Sequence, residues 1–169
     1  GSVYNHAAAF YIYALYTKGY KENAYRLIEK MIPGGNDEDL IQRGQLPVFI
    51  PNYYRGAYKQ FPRTAGRSSQ LFNTGTVHWI FRCLIDGLFG LKGESGGLRI
   101  EPQLPEAWDK VIVNRVFRGA TFNIRLRRTP DIKKILVLKN GQLLSDNIIE
   151  KFKAGSSQYM EVSVPGWCD

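Results

Sequence analysis

Apolar positions along the chain follow two different periods, and the change comes near Gly93. Ahead of it the spacing is helical. The stretch "YNHAAAFYIYALYTKG" is apolar around most of its circumference, which predicts a buried helix stopped at Gly19. In "KENAYRLIEKMI", Ala24, Leu27, Ile28, Met31 and Ile32 share one face of a second, amphipathic helix, and Pro33-Gly34-Gly35 ends it. The short link between them makes a helical hairpin. A third helix is expected from Val77 to Phe89.

From Pro33 to Asn73 the pattern is irregular. "PVFIPNYY" is strand-like and is punctuated by Pro47 and Pro51. In "RGAYKQFPRTAGRSS", Gly56, Pro62 and Gly66 prevent a long helix. Loops of this length in compact domains are usually functional or disordered. The aromatics Phe49, Tyr53, Tyr54, Tyr58 and Phe61 argue against disorder.

After Gly96-Gly97 the period becomes two. "LRIEPQL", "VIVNRVFRGATFNIRLRR", "KKILVLKNGQLL" and "YMEVSVPG" alternate apolar and polar residues. Arg118-Gly119 and Asn140-Gly141 are turn signals, and the second, between Leu138 and Leu143, predicts a hairpin. The expected class is α+β, with helices over residues 1–92 and an antiparallel two-layer β-sandwich over 93–169. Three helices that are apolar on most sides cannot bury one another. The chain is therefore expected to be the C-terminal piece of something larger, or to pair with a partner.

Composition adds limits. With 169 residues, 44% hydrophobic and 13% aromatic, the chain can bury a core. No apolar run is long enough to span a bilayer, so no membrane partner is expected, and no basic-then-apolar leader is read. Cys83 lies in the third helix and Cys168 near the last residue. They make neither a disulfide framework nor a metal-type spacing, which fits a reducing, cytoplasmic home.

The net charge of +8 points to anionic partners. Its distribution sharpens the point. No acidic residue occurs between Asp39 and Asp86, whereas Arg43, Arg55, Lys59, Arg63, Arg67 and Arg82 do. Arg55, Lys59, Arg63 and Arg67 recur every fourth residue, but the glycines and prolines send them in different directions. Arginine can grip a carboxylate or phosphate through two bonds, while lysine acts as a point charge. A solvated basic loop has the same composition. The interleaved tyrosines fit a sugar platform and equally fit nucleic acid, but no nucleic-acid-binding motif accompanies the charge, so no nucleic-acid partner is expected.

The stretch "FNTGTVHWIFRCLIDGLFGL" places Asn73, Thr74, Gly75 and Thr76 just ahead of the third helix. Hydroxyls and a glycine at a helix mouth make either an ordinary N-cap or a cradle for an anion. His6, at the head of the first helix, can donate to an anion or can bond to nearby backbone. His78 reads as structural. Asp37, Glu38 and Asp39 read as a charged surface loop, and Asp86 is assigned no catalytic role. No catalytic acid, Ser/His/Asp order, metal cluster or dinucleotide fingerprint is found.

Four blocks, in this order, carry a resemblance: "GSVYNHAAAF", "FNTGTVHWIFRCLIDGLFGLKG", "GLRIEPQLPEAWD" and "VFRGATFNI". From Val3 to Arg128 the chain resembles the C-terminal third of the inverting disaccharide phosphorylases, the cellobiose and chitobiose phosphorylase family of glycoside hydrolases, number 94. The resemblance implies an (α/α)6 barrel whose last helices are residues 1–92, followed by the closing β-domain. It implies a homodimer, no cofactor, and phosphorolysis of a β-glycosidic bond with inversion, inorganic phosphate being a substrate. One carboxylic acid protonates the leaving oxygen, in contrast to the paired carboxylates of inverting hydrolysis. No position here matches that acid, so this stretch alone is expected to be inactive. By the same resemblance His6, Thr74 and Gly75 contact phosphate. The cationic loop resembles the branch that acts on cellobionic acid, where Arg55 and Lys59 would grip the carboxylate of gluconate. Cellobiose, a β-1,2-glucan, or anion binding without chemistry are the alternatives.

Overall fold

A computed structural model of the chain describes residues 1–32, 49–69 and 75–166. Two compact units make it up, Gly1–Leu84 and Ile85–Asp169. Among the described residues, no helix is long and apolar enough to cross a membrane.

In the first unit, strand β1 (Ser2–Tyr4) runs straight into helix α1 (Asn5–Thr17). Gly19, at φ +80, closes α1: the Tyr20 N–H reaches the Leu15 carbonyl at 2.9 Å and the Gly19 N–H that of Tyr16 at 3.1 Å. Helix α2 (Lys21–Met31) follows and buries Ala24, Ile28 and Met31. Ile32, expected on the same face, has left the helix for extended backbone and is exposed. Strand β2 (Tyr53–Arg55) pairs antiparallel with β1 on one side and with β3 (Ser68–Ser69) on the other. Tyr54 is buried, and its hydroxyl donates to the Met31 carbonyl at 3.0 Å, so this tyrosine ties β2 to α2 and offers no sugar platform.

The third helix differs from the sequence expectation. Helix α3 (Thr76–Arg82) is α-helical for seven residues and then widens into a π-helical stretch, Cys83–Leu88. Such widenings are rare and recur at functional sites. Cys83 is fully buried, as expected of a core thiol, and its Sγ donates to the Ala9 carbonyl at 3.5 Å. The helices bury only part of their apolar surface. Ala9, Ile12 and Ile80 are inside, while Phe10, Tyr11, Val77 and Phe81 remain 45–60% exposed. Among the described residues, the all-round apolar pattern of α1 is thus only partly covered.

The second unit holds two sheets. Strands β4 (Leu91–Gly93), β5 (Leu98–Ile100) and β10 (Ile148–Ile149) form the smaller, in the order β10-β5-β4. The larger runs β6-β7-β11-β8-β9, from β6 (Lys110–Phe117), β7 (Ala120–Thr129), β8 (Leu136–Lys139), β9 (Gln142–Leu143) and β11 (Ser157–Pro165). Both glycine turns are where the sequence put them. Arg118 and Gly119 (φ 46 and 77) join β6 to β7, and Asn140 and Gly141 (φ 50 and 81) join β8 to β9, setting Leu138 opposite Leu143. Period-two burial is equally plain, with Phe122, Ile124 and Leu126 on β7 and Met160, Val162 and Val164 on β11 facing inward. The sheets meet where the Phe117 ring closes over Gly93, at a spot where a Cβ on residue 93 would come within 2.7 Å of the ring.

One pairing departs from the all-antiparallel expectation. β7 and β11 are parallel, in register from Ser157 opposite Thr121 to Pro165 opposite Thr129. Alternation of apolar residues is the same in parallel and antiparallel strands, so the pattern cannot reveal direction. The connection between them holds β8, β9 and β10, and no local signal marks where the chain returns.

Arg128 locks the end of β7. Its guanidinium donates to the carbonyls of Trp108 (3.1 Å), Pro165 (2.9 Å), Leu104 (3.0 Å) and Pro105 (2.7 Å). A planar fork with five donors suits such a cluster of acceptors, and lysine could not span it.

Candidate functional site

β1 leads directly into α1, so its hydrogen bonds fix the start of the helix. Tyr4 lies opposite Tyr53, and Ser2 opposite Arg55. The Asn5 N–H donates to the Asn52 carbonyl at 2.8 Å, and the Asn5 side-chain amide donates to the Pro51 carbonyl at 2.9 Å. His6 follows at once, half-buried, in a first helical turn without acidic residues.

The imidazole is held from several sides. The Tyr4 hydroxyl is 3.4 Å from Nδ1, and the Phe10 ring lies 4.9 Å away, centroid to centroid. Phe10 in turn meets Trp79 edge-on at 4.6 Å, and Tyr13 meets Trp79 at 5.5 Å. Arg82 caps this stack, its guanidinium carbon 5.3 Å from the centres of both the Tyr13 and Trp79 rings. When the Tyr4 hydroxyl donates to Nδ1, Nε2 carries the ring proton and presents a donor on the opposite edge.

That edge faces Gly75. A Cβ at residue 75 would stand 3.2 Å from His6 Nε2 and 3.5 Å from Trp79 Cδ1. Gly75 has φ −73, which any residue adopts, so closeness and not backbone freedom favours glycine there. His6 and Gly75, distant in sequence, therefore form one corner at the mouths of α1 and α3. Thr74, the third residue of the predicted phosphate group, lies outside the described residues. Thr76 does not cap α3 but is buried, its hydroxyl donating to Asn52 Oδ1 at 3.4 Å. Asn5 Oδ1, also buried, has no partner among the described residues.

Arg55 and Lys59 sit on the neighbouring loop. Arg55 closes its base, with its N–H on the Arg67 carbonyl at 2.8 Å and its carbonyl accepting from Gly66 at 2.7 Å. Ala57, at φ +57, turns the chain toward Lys59. The side chains of Arg55 and Lys59 are exposed, and neither has a partner among the described residues. As expected, no helix aligns these cations. Tyr58 and Phe61, more than 60% exposed, are the loop aromatics left for a ligand. Arg43, Asp37, Glu38, Asp39 and Cys168 lie outside the described residues. His78, read as structural, is exposed on α3.

Sequence reasoning missed Tyr4, Phe10, Trp79 and Asn52. Phe10 lies four residues after His6 and Trp79 four after Gly75, the spacing of helical neighbours, and that was the available signal. Asn52 carried none beyond its place before the paired tyrosines.

Comparison with known proteins agrees with the sequence blocks. The model described as glycosyl hydrolase family 65, C-terminal domain, matches residues 91–131. Cellobionic acid phosphorylase from Neurospora crassa is 50% identical over 97% of this chain and 21% of its own length. The 3-O-beta-D-glucopyranosyl-beta-D-glucuronide phosphorylase of Paenibacillus borealis is 33% identical over 79% of this chain and 17% of its own length. Solabiose phosphorylase from the same organism is 26% identical over 97% of this chain and 21% of its own. The chain thus spans about a fifth of the length of the curated relatives it matches. Over most of its length the chain is similar to a family whose members named here are disaccharide phosphorylases.

Proposed function

We propose that the chain supplies the phosphate corner and part of the acceptor side of an inverting phosphorylase of β-glucosides. In this reading His6, Thr74 and Gly75 hold inorganic phosphate, whose oxygen attacks the anomeric carbon and gives α-glucose 1-phosphate. The proton on the departing glycosidic oxygen comes from a carboxylic acid elsewhere in the complete polypeptide. Phosphate arrives already ionised, so the reaction needs no general base and no cofactor. Arg55 and Lys59 face an acidic acceptor, gluconate released from cellobionic acid.

The observation that carries this reading is the corner itself: His6 Nε2 directed at Gly75, from the start of the helix that follows β1, the strand paired to the one that bears Arg55. The relatives support the acidic acceptor, since two of their names, cellobionic acid and glucuronide, denote sugars with a carboxylate. The exposed Phe10, Tyr11, Val77 and Phe81 support helices α1 to α3 as part of an (α/α)6 barrel whose other helices cover them. The reading includes a homodimer in the cytoplasm.

The test is synthesis in reverse by the complete polypeptide, with α-glucose 1-phosphate as donor. Gluconate is expected to be glucosylated with kcat/KM at least about a hundredfold above that for glucose, the scale set by a desolvated carboxylate–arginine contact. Equal use of both acceptors overturns the acidic-acceptor assignment, and preference for glucose reverses it.

A further inference from the structure

We propose that Asn52 is a positioning residue that locks the cationic loop to the phosphate corner, so that the two subsites share one geometry; this rests on the function proposed above. Three buried polar residues lie behind the corner, with 7%, 1% and 2% of Asn52, Asn5 and Thr76 exposed. Each is close in sequence to a residue of the site. Asn5 precedes His6, Thr76 follows Gly75, and Asn52 stands three residues before Arg55.

Asn52 joins the other two. Its carbonyl accepts from the Asn5 N–H at 2.8 Å, and its side-chain Oδ1 accepts from the Thr76 hydroxyl at 3.4 Å. The first bond would survive any substitution at position 52, because it uses the main chain. The second depends on the amide. A buried amide bonded to a buried hydroxyl favours the arrangement that makes the bond, because sliding either element breaks it in a dry place. Asn52 is therefore the point through which the start of α1, the start of α3 and strand β2 are held in register. A shift of Thr76 would move both Gly75 and, through β2, Arg55.

Two measurements test this. In the complete polypeptide, Asn52→Leu and Thr76→Val are each expected to raise the KM for phosphate and the KM for the disaccharide by about tenfold. The double variant should be no worse than either single one, since both remove the same bond. Thr76→Ser, which keeps the hydroxyl, should recover most of the loss. A lowered Tm with both KM values unchanged, or a change confined to one substrate, overturns the proposal. The second measurement needs no turnover. In ¹H–¹⁵N spectra of the complete polypeptide, Thr76→Val should move the His6 ring signals and the Arg55 amide together. An unmoved Arg55 amide overturns the linkage even in an active enzyme. Absence of phosphorolysis in the unmodified polypeptide removes the function instead, and the spectra still decide the linkage.

Discussion

His6 Nε2 stands 3.2 Å from the point that a Cβ on Gly75 would occupy. That approach joins the mouths of α1 and α3, and a side chain at residue 75 would tighten it. The aromatic packing of Phe10 and Trp79 behind the imidazole leaves the ring little room to retreat.

Gly75→Ala should accordingly act on the site more than on the fold. The methyl group demands a displacement of a few tenths of an ångström from the His6 ring, while Trp79 at 3.5 Å would be in ordinary contact. The expected result in the complete polypeptide is a phosphate KM raised about tenfold or more, with a stability loss within about 1 kcal/mol. Steady-state kinetics beside thermal unfolding checks both halves.

Arg55→Ala tests the acceptor side. The Arg55 side chain is exposed and has no partner among the described residues, so unfolding should shift by no more than about 0.5 kcal/mol. Glucosylation of gluconate should fall by about ten- to a hundredfold, while that of glucose is nearly unchanged. Competition between the two acceptors in one assay reads the selectivity directly.

Arg128 is a structural counterpart. Its guanidinium serves four carbonyls, from Leu104, Pro105, Trp108 and Pro165. Arg128→Met should cost about 2–4 kcal/mol, because half-buried acceptors lose charged donors together. Urea unfolding followed by tryptophan fluorescence measures it.

The alkaline side of the stability profile should depend on Tyr16. Burial holds its hydroxyl well above the usual phenol range, with smaller contributions from Cys83, Tyr25 and Glu22. The folded chain then keeps a proton that the unfolded chain releases above pH ~10, so stability is complete below that pH and declines as pH rises. Tyr16→Phe should flatten the part of the Tm decline above pH ~10 that this group causes. Thermal melts of both proteins at a series of alkaline pH values make the comparison.

Much of this fold is legible in the sequence because its signals are local. Gly19 stops α1, and Asn140-Gly141 sets Leu138 against Leu143, through backbone preferences that need no knowledge of the rest. Motif likeness names His6 and Gly75 together, but that the imidazole lies against residue 75 is a contact between two helix starts that no local pattern displays. The parallel pairing of β7 with β11 and the tie of Asn52 to Thr76 are likewise non-local, and neither alternates, caps nor turns in a way that sequence displays. The apolar surround of α1 was legible too, and among the described residues Phe10 and Tyr11 remain exposed.

The central claim is that this corner holds a phosphate that attacks sugar. The most direct measurement is ³¹P NMR of the complete polypeptide with cellobionic acid and inorganic phosphate, repeated with His6→Ala. The account predicts a growing α-glucose 1-phosphate signal in the first sample and a rate at least about a hundredfold lower in the second. Glucose released without a new phosphorus signal, or an undiminished rate after His6→Ala, would contradict it.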